Sequence, residues 1–206
     1  MIGYCRSFLC LALLLVLGAC GAAEPKWASD ADVARARYVD DGPYSLTLFT
    51  VISNRSGSGA HSALMVNDSE RVIFDPAGTW YHPYLPERND VHYGMSDAAV
   101  AFYVDYHSRV TYHTVVQEIT VSREVADLAM AHIKAYGAVP KAQCTKSVTD
   151  ILRRLPGFES IPSTWYPKKA SEAFGRMPGV RTEKFYDDDP DKNTGFITAY
   201  GIAAPV

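Results

Sequence analysis

Residues 59–75 read GAHSALMVNDSERVIFD and contain two apolar runs separated by a short polar segment. Branched and aromatic side chains in both runs favour strands, and the polar segment around Asp68 favours a turn. The sequence therefore predicts a β-hairpin. Because position 68 is midway between positions 61 and 75, we expect His61 and Asp75 to lie opposite each other on the paired strands.

Patterns elsewhere in the chain predict further strands and several helices. β-Branched and aromatic runs predict strands, and a serine ahead of an apolar helical repeat predicts the start of a helix. The predicted strands span 44–52, 60–66, 71–75 and 109–121, and the predicted helices span 29–38, 96–107, 122–137, 143–154 and 168–176. Residues 80–95, which contain prolines, and the acidic residues 187–191 are expected to be loops. The predicted fold is a single α+β domain over residues 41–206, an antiparallel sheet packed with helices.

The N-terminus has the features of an export signal. Arg6 precedes an apolar run that is too short to span a membrane as a helix. The sequence Leu-Gly-Ala-Cys that ends at Cys20 resembles the lipobox of bacterial lipoproteins, whose cleavage leaves a lipid-bearing cysteine at the new N-terminus. The resemblance implies that residues 1–19 are a lipoprotein signal peptide and that residues 20–40 are a lipidated N-terminus and tether. It also implies a place in the bacterial cell envelope, at the outer membrane facing the periplasm. The alternative is an ordinary signal peptide with a chance cysteine near the cleavage position.

Composition and charge limit the classes of partner. The chain has 206 residues and a formal net charge of −3 at pH 7, with 20 lysines and arginines against 23 aspartates and glutamates. The basic residues do not cluster strongly, so nucleic-acid binding has no support. The length suits one well-buried domain.

Cys144 is the one cysteine that export does not explain. Cys5 and Cys10 fall in the predicted signal and Cys20 would carry lipid, so Cys144 has no partner in a compartment that favours disulfides. Apolar residues at helical spacing after Cys144 place it in the first turn of a predicted helix. There the free backbone N–H groups and the helix dipole favour a thiolate and a developing oxyanion. The alternative is a small buried cysteine that only fills the core.

A thiol nucleophile needs a base, and the chain has six histidines. His61 is the preferred candidate because it begins a predicted strand directly after a glycine-rich loop, where a cleft-facing ring can be held rigidly. Asp75 is the candidate orienter of that ring, although it could equally cap the turn before Pro76. The other histidines have simpler interpretations. Surface or capping roles suit His107 and His132, an outward-facing strand position suits His113, and substrate contacts suit His82 and His92.

The order of these residues resembles a known superfamily. A histidine within GAHSALMV, an aspartate ending VIFD and a later cysteine in QCT, at positions 61, 75 and 144, resemble the circularly permuted branch of the papain-like, NlpC-type cysteine hydrolases. Members of that superfamily cleave amide bonds in cell-wall peptides, or hydrolyse or transfer acyl groups on lipids. The resemblance implies Cys144 as nucleophile, His61 as base and Asp75 as orienter. Asp75 departs from the glutamate, histidine or asparagine often found at its position, and no side-chain oxyanion donor can be identified.

The sequence therefore predicts a lipid-anchored cysteine hydrolase that acts on an amide or ester through an acyl-enzyme, without a cofactor. The expected substrate is a cell-wall peptide or a lipid acyl group, with Tyr44, Tyr81 and His82 as candidate substrate contacts. One alternative is a non-catalytic envelope lipoprotein that binds a partner or glycan with the same fold. A zinc site is a weaker alternative. Its ligands would be Cys144, His61 and Asp75, or His107 and His113, but no tight ligand spacing supports either set.

Overall fold

The computed structural model describes residues 22–191 and residue 202, and in them one antiparallel sheet forms the centre of the molecule. The predicted signal peptide and Cys20 lie outside the described residues. The sheet has seven strands in the order β4-β5-β3-β2-β1-β6-β7. The strands are β1 (Ser45–Ser53), β2 (Gly59–Asn67), β3 (Arg71–Phe74), β4 (Glu87–Arg88), β5 (Val91–Tyr93), β6 (Tyr112–Thr120) and β7 (Arg181–Phe185). With five helices around this sheet in the described part of the chain, the predicted α+β class is confirmed.

The predicted hairpin exists, but its register differs from the expected one. β2 pairs with β3 so that Asn67 faces Arg71 and Leu64 faces Phe74. These pairs are centred on position 69, because the turn extends to Glu70, rather than on position 68. The expectation that residues 61 and 75 face each other directly is therefore wrong by two positions.

The helices begin and end where the sequence predicts to within a few residues. They are α1 (Asp30–Ala36), α2 (Asp97–His107), α3 (Arg123–Tyr136), α4 (Cys144–Leu152) and α5 (Pro167–Gly175). Ser29, Ser96 and Ser122 each cap a helix by accepting a hydrogen bond from a backbone N–H in its first turn. In the described part of the chain, none of the helices has the length and apolar character needed to cross a membrane.

Both faces of the sheet are covered, which explains why β1 is buried along almost its whole length. On one face, Leu46, Leu48 and Leu64 pack with apolar residues of α3, α4 and α5. On the other face, Phe49 and Met65 pack with α2 and with the segment that follows β3. The central strands are therefore held rigidly between two cores, and a site built on them inherits that rigidity.

Two parts of the sheet were not expected from the sequence. Residues 80–95 were predicted to be a loop, but they include β4 and β5, and β5 pairs with β3. A tight turn at Asn89 and Asp90, both with positive φ, joins these strands, and such short strands give no periodic signal. The predictions also omitted β7, which pairs with β6 along an exposed edge and is exposed at every residue. An edge strand without a buried face has no alternation to detect.

Candidate active site

The candidate site forms where β3 ends and β2 continues. The pairing of β2 with β3 begins at Leu64, so β3 does not cover the edge of β2 before that residue. The N-terminus of α4 lies beside this edge, and the backbone of Ser62 is close enough to the Cys144 sulfur to lower the pKa of the thiol. The Ser62 and Thr145 hydroxyls are also hydrogen bonded, at 3.1 Å. The end of β3 thus leaves room for the Cys144 thiol at the edge of a central strand.

The imidazole of His61 connects this thiol to a buried carboxylate. Its Nε2–H donates to Oδ1 of Asp75 at 2.6 Å, and the same ring lies close enough to the Cys144 thiol that each group shifts the pKa of the other. Since Nε2 is engaged with Asp75, Nδ1 is the nitrogen available to the sulfur. By extension of the ladder, Asp75 falls opposite Ala63, two positions from His61 and on the same face. His61 and Asp75 are therefore diagonal neighbours, and their side chains meet across that diagonal.

Asp75 is held in its charged form. The side chain is fully buried, and Tyr103 on α2 donates a second hydrogen bond to Oδ1 at 2.8 Å. Burial alone would raise the pKa of Asp75, but the charge and hydrogen bond of His61 outweigh it and hold the pKa well below its usual range. Gly78 keeps the space next to the carboxylate free, because a Cβ there would lie 2.0 Å from Oδ2.

The thiol and the imidazole favour a charged pair. Burial raises the pKa of Cys144, but the hydrogen bond and charge of His61 outweigh it and lower the pKa to about 7. Burial likewise disfavours the charged form of His61, yet the Asp75 carboxylate and the thiol raise the pKa of His61 to about 10. Between these values a thiolate and an imidazolium coexist, which is the reactive form of a cysteine nucleophile.

A second imidazole, from His107 at the end of α2, packs against this group. The two histidine rings are parallel within 9°, with centroids 5.8 Å apart. Nδ1–H of His107 donates to the main-chain carbonyl of Tyr103 at 2.8 Å. This bond to a carbonyl in the last turn of α2 agrees with the predicted capping role for His107, whereas the stacking of its ring on His61 was not expected. Tyr103 and His107 are one helical turn apart on the face of α2 that packs on the sheet, and the sequence around His107 does not show which face that is.

The three candidate substrate contacts do not lie beside the thiol. Tyr44 precedes the end of β1 that pairs with Asn67, whereas His61 pairs with Val51 near the other end. His82 is 1% exposed, and its Nδ1 accepts a hydrogen bond from the Tyr84 backbone at 3.2 Å.

Tyr81 is exposed, but it lines a cavity of about 560 Å³ near α1 whose lining residues do not include Cys144. The prediction of substrate contacts at Tyr44, Tyr81 and His82 is therefore not supported by their positions. His92 is buried at 3% exposure, and His113 is buried as well, so the outward-facing prediction for His113 is wrong. The ring of His113 donates to the Asn54 side chain and stacks on Tyr186.

The residues at this site that could hold a metal ion are not the ones in the zinc site considered from the sequence. His61, Asp75 and His107 each offer a ligand atom, and these atoms lie within 4.8 Å of one another. The 2.6 Å contact between His61 and Asp75, however, is a hydrogen bond that a metal ion would have to displace. We therefore interpret the group as a proton-bearing network. Its unexpected members, Tyr103 and His107, reach it through tertiary packing.

Comparison with protein-family models, curated proteins and solved structures finds no match to this chain. The resemblance to permuted papain-like hydrolases is therefore carried by the short sequence motifs alone. Any inference about function depends on the geometry around Cys144, His61 and Asp75.

Proposed function

We propose that the protein is a thiol hydrolase that cleaves an amide or ester bond through an acyl-enzyme on Cys144. The observation that carries the proposal is the arrangement of three side chains: the ring of His61 hydrogen bonds to the buried Asp75 carboxylate at 2.6 Å, and the same ring lowers the pKa of the Cys144 thiol. A structural cysteine has no need of a histidine and a carboxylate in this arrangement. Nucleophile, base and orienter in hydrogen-bond contact are the diagnostic geometry of covalent catalysis.

In the first half of the reaction, the Cys144 thiolate attacks the carbonyl carbon of the substrate and forms a tetrahedral intermediate. The His61 imidazolium then gives its Nδ1 proton to the leaving nitrogen or oxygen as the carbon–heteroatom bond breaks. A thioester on Cys144 and a free amine or alcohol result. Asp75 keeps the ring in place and stabilises its positive charge before the proton leaves.

The negative oxygen of the intermediate has donors at the start of α4. The first backbone N–H groups of a helix have no carbonyl partner within the helix, and Cys144 is the first residue of α4. Gln143 before it makes no side-chain cap, so these N–H groups stay available. The N-terminus of α4 thus supplies positive potential beside the reacting carbon.

In the second half, water attacks the thioester while neutral His61 accepts its proton. The carbon–sulfur bond breaks, the acid is released, and the thiolate–imidazolium pair is restored. An alcohol or amine acceptor in place of water would make the same site a transferase.

We extend the proposal to the fold and location that the resemblance implies. The order His61, Asp75, Cys144 and the position of the thiol at a helix N-terminus against a sheet support the permuted papain-like architecture. The lipobox around Cys20 supports anchoring in the outer membrane, facing the periplasm. The proposed substrate at that place is a cell-wall peptide or a lipid acyl group.

The proposal is tested by the pH dependence of iodoacetamide labelling of the full chain, with the labelled peptide identified by mass spectrometry. We expect labelling of Cys144 to follow a pKa of about 7. His61→Ala should move it towards the ordinary value of 9.0, which lowers labelling at pH 6 by up to about 100-fold. His132→Ala, a change on helix α3, is the control and should match the wild type.

An activated ester gives the second measurement. We expect a burst of product equal to one acyl group per protein chain, which Cys144→Ser abolishes. If labelling instead follows an ordinary thiol pKa and ignores His61→Ala, and no burst occurs, Cys144 is not a nucleophile. The non-catalytic envelope lipoprotein, which binds a partner or glycan, is then the correct interpretation.

A further inference from the structure

His107 lies between the proposed catalytic base and an open cavity. The cavity has a volume of about 920 Å³, and its walls include Ala60, which precedes His61, and His107, which stacks on it. His61 itself is not among the lining residues in the described part of the chain. His107 therefore both lines this cavity and stacks on the ring of His61.

We propose that His107 is a positioning residue, whose flat ring packs on His61 and keeps that imidazole aligned between Cys144 and Asp75. The inference rests on the proposed function, because the alignment matters only if His61 acts on the thiol. In this role His107 acts through His61 and exchanges no proton with the substrate.

The network itself holds His107 in place. Tyr103 accepts the Nδ1–H of His107 with its main-chain carbonyl and donates its hydroxyl to Asp75. The rings of Tyr103 and His107 also contact each other, with centroids 4.3 Å apart. The ring of Tyr106 packs edge-on against His107, with centroids 5.1 Å apart. Tyr103 and His107, one turn apart on α2, thus act on His61 from two sides. Tyr103 holds the Asp75 carboxylate that orients the His61 ring, and His107 packs on that ring.

The charge state of His107 suits this role. Burial lowers the pKa of His107 to about 4, and the nearby charge of His61 and of Arg109 acts in the same direction against the opposing effect of Asp75. His107 is therefore neutral at the pH where His61 is an imidazolium, so the two stacked rings do not repel each other. A neutral ring also excludes water from His61 without competing for Asp75.

Three substitutions distinguish the effect of the His107 ring from the effect of its hydrogen bond to Tyr103. His107→Phe keeps a flat ring and loses the donor to Tyr103, His107→Gln keeps a donor and loses the ring, and His107→Ala loses both. His113→Phe is the matched control, because His113 is another buried histidine, stacked on Tyr186 and not on His61. Thermal unfolding shows which variants are folded at the assay temperature.

The measured quantities are the pKa of the Cys144 thiol, from the pH dependence of iodoacetamide labelling, and the pKa of His61, from proton NMR of its ring. We expect His107→Ala and His107→Gln to raise the thiol pKa by about one unit, which lowers labelling at pH 6 about tenfold. His107→Phe and His113→Phe should stay within about twofold of the wild type. Rescue by phenylalanine and not by glutamine identifies packing of the ring as the cause.

The other results separate this inference from the proposed function. If His61→Ala raises the thiol pKa but all His107 variants match the wild type, the positioning role is wrong and the proposed function stands. The positioning role is also wrong if His107→Phe lowers labelling at pH 6 as much as His107→Ala does. The hydrogen bond to Tyr103, and not the packing of the ring, would then be the cause. If His61→Ala itself has no effect, the proposed function fails first.

Discussion

Replacing Asp75 by asparagine isolates the charge of the orienting residue. Asparagine has nearly the same shape, and its amide oxygen can still accept the Nε2–H of His61, so the hydrogen bond survives and the negative charge does not. The wild-type contact is 2.6 Å long and the Asp75 side chain is fully buried. Little water screens the charge there, so its removal should lower the pKa of the His61 imidazolium that the carboxylate contacts.

The size of the effect follows from this contact. A hydrogen bond to a charged group contributes about 1 kcal/mol more than one between neutral groups. The direct attraction between two unit charges near 4 Å reaches about 4 kcal/mol at an effective dielectric constant near 20. With 1.36 kcal/mol per pKa unit, the pKa of His61 should fall by about one to three units from its value of about 10. The thiolate–imidazolium pair would then exist over a narrower pH range, because the upper pH limit of that range would fall.

The measurement is a proton NMR titration of the His61 ring, assigned by the loss of its signal in His61→Ala. Asp105→Asn is the control, because Asp105 is also a partly buried, ion-paired carboxylate, but its partner is Arg109. A titration of His61 that is unchanged in Asp75→Asn would refute the reasoning, since the carboxylate would then not be what charges the imidazole. A shift of the same size in Asp105→Asn would show a non-specific effect of net charge.

Three further predictions concern the same network. Gly78→Ala should lower the unfolding temperature, because its Cβ would lie 2.0 Å from the Asp75 carboxylate, and a mutant as stable as the wild type would contradict this close approach. Tyr103→Phe should cost about 1–3 kcal/mol in urea unfolding by removing a hydrogen bond to a buried charge, and a cost near zero would contradict it. In Cys144→Ser, where no thiol titrates, the free energy of unfolding should fall as the pH rises above about 6.5 and until it passes the folded-state pKa of His61, which lies below the wild-type value of about 10 because the thiol no longer helps to raise it. The folded state then keeps on His61 a proton that the unfolded state releases, so the slope approaches at most about 1.4 kcal/mol per pH unit, and Cys144→Ser combined with His61→Ala should flatten it.

The sequence was a good guide where a residue's own neighbours determine its structure. Serine caps, apolar repeats and β-branched runs identified the helices and the long strands, because these signals act within a few positions. The contact between His61 and Asp75 was also expected, although the predicted register was wrong by two positions. It exists because side chains two positions apart on a strand share a face, so an error of two still places them together.

The remainder depends on contacts that are distant in the chain. Tyr103 and His107 join the site only because α2 packs on the sheet with that face inward, and no local pattern specifies this. The short strands β4 and β5 and the exposed edge strand β7 are stabilised by pairing with neighbours and not by their own composition. The choice of Tyr44 and His82 as substrate contacts rested on residue type, which does not show where a side chain lies, and it stays a prediction.

The early end of β3 has one more consequence. A backbone N–H at the uncovered edge of a strand usually hydrogen bonds to water, but here the backbone of Ser62 interacts with the Cys144 thiol and lowers its pKa. The uncovered part of β2 is therefore coupled to the reacting atom. Hydrogen exchange at the Ser62 amide and the reactivity of the thiol should then depend on the same local opening of the structure. Alkylation of Cys144 should accelerate exchange at Ser62 while leaving the amides of β1 protected.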